Sequence, residues 1–241
     1  MAALAGCGGA GLGGGAADDT VTVFAAASLT ESFTRLGEDF EAAHEGTTVV
    51  FNFAGSAALA AQVDQGAPAD VFASADRRNM ATVTGAGHAD GDPVVFVRNQ
   101  LVVAVPRGNP RGVAGLADLA RPGVKVALCA EQVPCGAAAR TALDAASIAL
   151  TPVTLEQDVR GALSKVRLGE VDAALVYRTD ALAAAADVTA VEFPESVRAV
   201  NDYPIVALRE APNPDGARAF VAYVRSQRGR AVLTEAGFQA P

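Results

Sequence analysis

The sequence predicts an α/β protein whose sheets are mainly parallel and flanked by helices. Three observations lead there. From Thr20 onward, short runs of β-branched and apolar residues alternate with helical patterns, the signature of strand–helix–strand units. The strands give way to helices through small residues and capping residues rather than through long loops. Two stretches rich in β-formers, 93–106 and 200–208, could carry the chain between two domains. In sheets of this kind a ligand sits beyond the carboxyl ends of the strands.

The elements follow in order. Val21, Val23 and Phe24 mark a first strand over 21–25. Ser28, with Glu31 three residues on, matches a capping box, and Phe33, Leu36, Phe40 and Ala43 give the helical stripe of 29–44. A strand over 48–53 ends in Ala54-Gly55-Ser56, and a helix over 57–65 follows with Ser56 at its N-cap. Next come a strand over 70–73 and a helix over 77–84. Further strands are predicted at 101–105, 124–128, 173–177 and 205–208, and further helices at 136–146, 159–168 and 214–226. Pro134 suits the first turn of the helix before Gly136. Asp158 is placed to cap the helix at 159, Arg160 is expected to pair locally, and Tyr177 puts a hydroxyl at the tip of its strand. The match of Gly6, Gly8 and Gly11 to a dinucleotide fingerprint has neither a strand before it nor a helix after it, so it carries no such meaning.

Composition excludes several classes. The 241 residues suffice for one large or two small domains. Nineteen Lys and Arg against 27 Asp and Glu leave a net charge of −8, with no basic run, so a nucleic-acid partner is not expected. That net charge does not bear on a small anion at a local site, because distant charges are screened. No stretch of 18 apolar residues is present, so no membrane-spanning helix is expected.

Leu4-Ala5-Gly6-Cys7 looks like a bacterial lipobox, which predicts lipidation at Cys7. The Gly- and Ala-rich segment after it reads as a tether reaching roughly 20 Å. The competing reading is a plain N-terminal tail. Cys129 and Cys135 lack zinc spacing. An exported location would allow a disulfide between them. The other reading is a nucleophilic Cys135, which needs a base, and His44 and His88 carry no partner motif.

One strand–helix junction with an exposed helix N-terminus is ordinary capping. Several converging ones form an anion site, since each offers free N–H groups and the positive end of a dipole. The decisive residues are VFAAASLTESF, FAGSAALAAQ, GAPADVFASAD, QVPCG, DVRGAL and LVYRTDAL, in that order between residues 21 and 183, with GRAVLTEAGF near the end. They resemble the molybdate-binding proteins of bacterial ABC importers, and the resemblance covers essentially all of the chain after the tether.

The resemblance implies a two-lobed periplasmic-binding-protein fold of type II, with the ligand in the cleft. It divides the chain into a lipobox and tether (1–19), a first lobe (20–96 plus 206–241) and a second lobe (97–205). It implies that molybdate, or tungstate, is held by Ser28 and Ser56 from the first lobe and by Cys135, Val159 and Tyr177 from the second. Cys135 and Val159 would donate through their backbone N–H groups. No catalytic residue, cofactor or direct metal ligand is implied. Cys135 departs from the enteric pattern, which has alanine there; a disulfide to Cys129 would leave the backbone donor intact and stiffen the loop. The expected protein is an extracytoplasmic, lipid-anchored monomer on the outer face of the cytoplasmic membrane, delivering its anion to an ABC permease. Another tetrahedral oxyanion such as sulfate is the alternative ligand.

Overall fold

The computed structural model describes residues 19–241; Cys7 and the tether lie outside them. Among these residues ten strands and nine helices follow in order: β1 Thr20–Ala26, α1 Thr30–Ala43, β2 Thr48–Ala54, α2 Ser56–Asp64, β3 Val71–Ala73, α3 Arg77–Gly85, β4 Ala89–Asn99, β5 Leu101–Pro106, α4 Leu116–Leu119, β6 Val126–Cys129, α5 Pro134–Ala145, β7 Thr154–Glu156, α6 Val159–Arg167, β8 Ala173–Tyr177, α7 Arg178–Ala183, β9 Val188–Val191, β10 Asn201–Leu208, α8 Pro214–Val224 and α9 Gln227–Glu235. Two five-stranded sheets result, ordered β2-β1-β3-β10-β4 and β7-β6-β8-β5-β9. No helix among the described residues is long and apolar enough to cross a membrane.

The two sheets repeat one plan without any repeat in sequence. In each, three strands run parallel, β2-β1-β3 and β7-β6-β8. The remaining pairings are antiparallel. The parallel expectation therefore holds for the three strands that carry helices at their carboxyl ends. The antiparallel strands are those beside the chain crossings. β4 leads directly into β5 through Gln100, and the chain returns at Asn201 to pair along β4 with Asn201 opposite Asn99. The expected boundaries at 96/97 and 205/206 thus fall inside β4 and β10. Strand pairing draws 97–99 and 201–205 to the first sheet.

The first half is built around phenylalanines. Phe33 and Phe40 on α1 meet Phe220 on α8 edge-on, with ring centroids 6.1 and 5.3 Å apart, and Phe33 also contacts Phe51 and Phe96. Phe33, Phe40 and Phe220 are fully buried. The second half has no such cluster and is filled by Val, Leu and Ala of β5, β6 and β8 against α5 and α6. Small side chains let those helices sit close to the sheet. α4, β7, α7, β9 and α9 were not expected from the sequence. They are short or weakly periodic, and tertiary pairing rather than local pattern decides them.

Phe33→Ala is expected to cost about 3–5 kcal/mol, because it empties the centre of the aromatic cluster. Urea unfolding checks it: the midpoint should fall while the slope stays unchanged.

Candidate anion-binding site

Six strand ends converge on one small cavity, three from each sheet. β1, β2 and β3 deliver Ser28, Ser56 and Ala75; β6, β7 and β8 deliver Cys135, Val159 and Tyr177. All five residues singled out from the sequence line this cavity and are buried. Only about 10 Å³ is open to the centre of a water-sized sphere, far below the several hundred Å³ of an organic-ligand pocket. No Lys, Arg or His lines it.

The local structure differs from the expected caps in two places. Ala27–Leu29 form a single 3₁₀ turn, α1 starts at Thr30 with Leu29 at its N-cap, and no side chain caps it. The capping box of Ser28 and Glu31 is therefore absent. The Ser28 hydroxyl instead lies 2.9 Å from that of Tyr203, and Glu31 pairs with Arg160. Ser56 is the first helical residue rather than the N-cap, which is Gly55. Its Oγ accepts from the Ala75 N–H at 3.0 Å. Tertiary partners outcompete local capping at both serines.

The second sheet's junctions follow expectation more closely. Pro134 opens α5 and Cys135 follows, so the Cys135 N–H lies in the first turn with no intrahelical acceptor. Cys129 and Cys135 form a disulfide with Cα atoms 5.7 Å apart, which ties the end of β6 to the start of α5. The sulfur is thus not free as a nucleophile, and Cys135 lines the cavity as half of a disulfide. Closing so short a loop contributes roughly 2 kcal/mol. A Cβ at Gly136 would overlap the Ala130 carbonyl oxygen, so only glycine lets α5 start this close to β6. Asp158 caps α6 by accepting from the Gly161 N–H at 2.9 Å, which leaves the Val159 N–H in the first turn.

Arg160 was expected to pair locally. It pairs instead with Glu31 on the opposite side of the cleft. Its charge is therefore neutralised beside the cavity rather than inside it. Arg78 likewise reaches across to the carbonyls of Glu131 and Gln132 at 3.0 and 2.9 Å. The backbones meet as well: a Cβ at Gly55 would overlap the Gln157 carbonyl oxygen.

Sequence reasoning missed the layer beneath the cavity. Tyr203, Asn201, Asn99 and Asp180 are all buried there. The Asn201 amide nitrogen lies 3.0 Å from the Tyr177 oxygen and 2.7 Å from the Ala75 carbonyl oxygen. Polar residues within a stretch otherwise read as a buried strand, Asn201-Asp202-Tyr203, were the available signal. Burial raises the pKa of both Tyr177 and Tyr203, so both hydroxyls keep their protons. Burial, with Glu31 nearby, also pushes the Asp180 carboxyl up to about 8. At neutral pH that carboxyl is largely protonated and does not oppose an anion above it.

This arrangement can hold a small anion with neutral donors alone. Among the described residues no group of three His, Cys, Asp or Glu could hold a metal ion. His44 stacks on Phe40 and His88 meets Asp64, both outside the cavity.

Comparison with known proteins fits this geometry. The family of bacterial extracellular solute-binding proteins matches residues 21–239. The chain belongs to that family. The molybdate-binding protein ModA of Mycobacterium tuberculosis is 47% identical over 222 residues, covering 92% of this chain and 85% of the relative. The periplasmic molybdate-binding protein of Azotobacter vinelandii has the same fold, with a TM-score of 0.79 at 22% identity over 92% of this chain and 99% of that one. The sulfate-binding protein SubI of Mycobacterium tuberculosis shares the fold too, with a TM-score of 0.78 at 19% identity over 92% and 86% of the two chains. The fold therefore does not choose between oxyanions. These relatives bind solutes, and this family member is a binding protein rather than an enzyme.

Asp180 predicts a pH dependence of stability. Its ordinary pKa is 3.8, against about 8 in the folded protein. Between those values the folded state holds a proton that the unfolded chain has released, so stability falls as pH rises from about 4 to 8. Asp180→Asn keeps an acceptor for the Tyr177 N–H, which Asp180 meets at 3.2 Å. Urea midpoints at pH 5 and pH 8 should lie closer together in that variant than in the native protein.

Proposed function

We propose that this protein captures molybdate, with tungstate as a near-equal ligand, outside the cytoplasm and delivers it to an ABC permease. The observation that carries the reading is the cavity itself: converging strand ends supply hydroxyls and first-turn N–H groups, with no cationic side chain. The ligands in this reading are the hydroxyls of Ser28, Ser56 and Tyr177 and the N–H groups of Ser28, Ser56, Cys135 and Val159. The relative of 47% identity, named for molybdate, supports the choice of anion.

The energetics are consistent with it. A dianion leaves water only if its oxygens find donors. Each hydrogen bond to a charged group contributes roughly 1.5–3 kcal/mol. Helix N-termini behind Ser56, Cys135 and Val159 add favourable dipoles. Molybdate, tungstate and sulfate carry no proton near neutral pH, so a shell of donors suits them. Size separates sulfate from the larger two.

Capture proceeds by closure of the two lobes, divided at the crossings near Gln100 and Val200, and the closed form is what the permease reads. The protein acts as a monomer anchored through a lipid on Cys7.

Three experiments test this. Calorimetric titration at one ionic strength should give tight binding of molybdate and tungstate and none of phosphate. A preference for sulfate would replace the ligand and keep the site. Ser28→Ala combined with Tyr177→Phe should weaken molybdate at least a hundredfold while the protein still folds, with a lower thermal midpoint because Tyr203 and Asn201 lose buried partners. For the anchor, mass spectrometry of the protein from its native membrane should find a diacylglyceryl group on Cys7; an unmodified Cys7 behind an intact N-terminus rules it out.

A further inference from the structure

Asn99 closes β4 and Asn201 opens β10, and they face each other in register where the chain crosses between the sheets. Both are buried, and neither lines the cavity. Their amides can be oriented from chemistry alone. The Asn201 atom 2.7 Å from the Ala75 carbonyl oxygen must be the nitrogen, because a carbonyl only accepts. The same nitrogen lies 3.0 Å from the Tyr177 oxygen, so it donates to the phenol. At Asn99 the oxygen accepts from the Gln100 N–H at 3.0 Å, which leaves the nitrogen end for Thr179 Oγ1 at 2.8 Å and the Tyr203 oxygen at 3.5 Å.

A hydroxyl has one proton, and one that accepts from the protein has that proton left to give. Tyr177, accepting from Asn201, has its proton left to give, with the cavity and the Tyr203 hydroxyl as the places it can go. Of the two possible directions between Ser28 and Tyr203, 2.9 Å apart, the approach of the Asn99 nitrogen to the Tyr203 oxygen favours Tyr203 as donor, which leaves the Ser28 proton for the cavity. Ser56 accepts from the Ala75 N–H and completes the set. We infer that Asn201 and Asn99 are positioning residues that fix the proton directions of Tyr177 and, through Tyr203, of Ser28, and thereby make the site discriminate against oxyanions that carry a proton. This rests on the oxyanion reading above. It adds the residues that enforce selection. Hydrogen phosphate needs an acceptor, and hydroxyls held in this way offer none; the Asp158 carboxylate at the cavity wall is engaged by the Gly161 N–H at its helix cap.

The test is a pair of double-mutant cycles on the full protein, with calorimetric molybdate and phosphate titrations and thermal midpoints for every variant. Asn201→Ala should weaken molybdate about tenfold, and by less than twofold in a Tyr177→Phe background, because no hydroxyl is left to orient. Asn201→Asp, which accepts from Tyr177 and reverses its proton, should lower the molybdate-to-phosphate affinity ratio. Should the Asn201 variants fail to fold, Tyr203→Phe removes a single oxygen and makes the same test: its loss should disappear in a Ser28→Ala background. Equal losses in both backgrounds, or an unchanged molybdate-to-phosphate ratio in a folded Asn201→Asp, would overturn the inference while leaving the oxyanion site standing. A native protein that binds no oxyanion would remove both.

Discussion

A bare dianion cannot leave water unless its oxygens are met by donors, and this requirement organises the molecule. Cationic side chains would meet it with charge. The cavity of this protein is lined by none, and in the proposed reading hydroxyls and helix first-turn N–H groups take their place. Such donors exist only where strands end and helices begin, so the site needs several junctions at one point. Two sheets with parallel strands facing each other supply six. The repeated strand plan is therefore a condition of the chemistry.

Convergence from two sheets requires that they approach closely and separate again. The close approach is written into backbone: Gly55 lies against the Gln157 carbonyl, where any side chain would intrude. Polar contacts accompany it, with Arg160 meeting Glu31 and Arg78 meeting two carbonyls of the facing loop. These groups are exposed in part, so water replaces them readily when the halves part, and each adds little on its own. In the proposed reading the free energy of closure is left to the ligand. The disulfide serves the same end on one side, holding the Cys135 donor to the end of β6.

Charge at the cavity is held by local partners. Arg160 is neutralised by Glu31 beside it, and Asp158, which lines the cavity, has a carboxylate oxygen engaged by the Gly161 N–H at its helix cap. Asp180 stays largely protonated at neutral pH because it is buried. The result is a small site without a cationic side chain, walled by small residues and three hydroxyls. Such a site is suited to reading the shape and protonation of an anion more than its charge.

The sequence alone determined the α/β class and the order of the main strands and helices, and its resemblance to a known family picked out five of the residues that line the cavity. It made the elements legible because strand period, helix period and small-residue junctions are local signals, and Pro134 at the first position of its helix and Asp158 at an N-cap follow local rules. It misread Ser28, whose partner Tyr203 lies 175 residues away, and Arg160, whose partner Glu31 lies 129 residues away. It also left Asn99, Asn201 and Asp180 without a role. Only the tertiary structure decided those, for one physical reason. A polar group at a local cap position takes whichever partner is available once water is excluded, and that partner is fixed by the crossing of the chain rather than by neighbours in sequence.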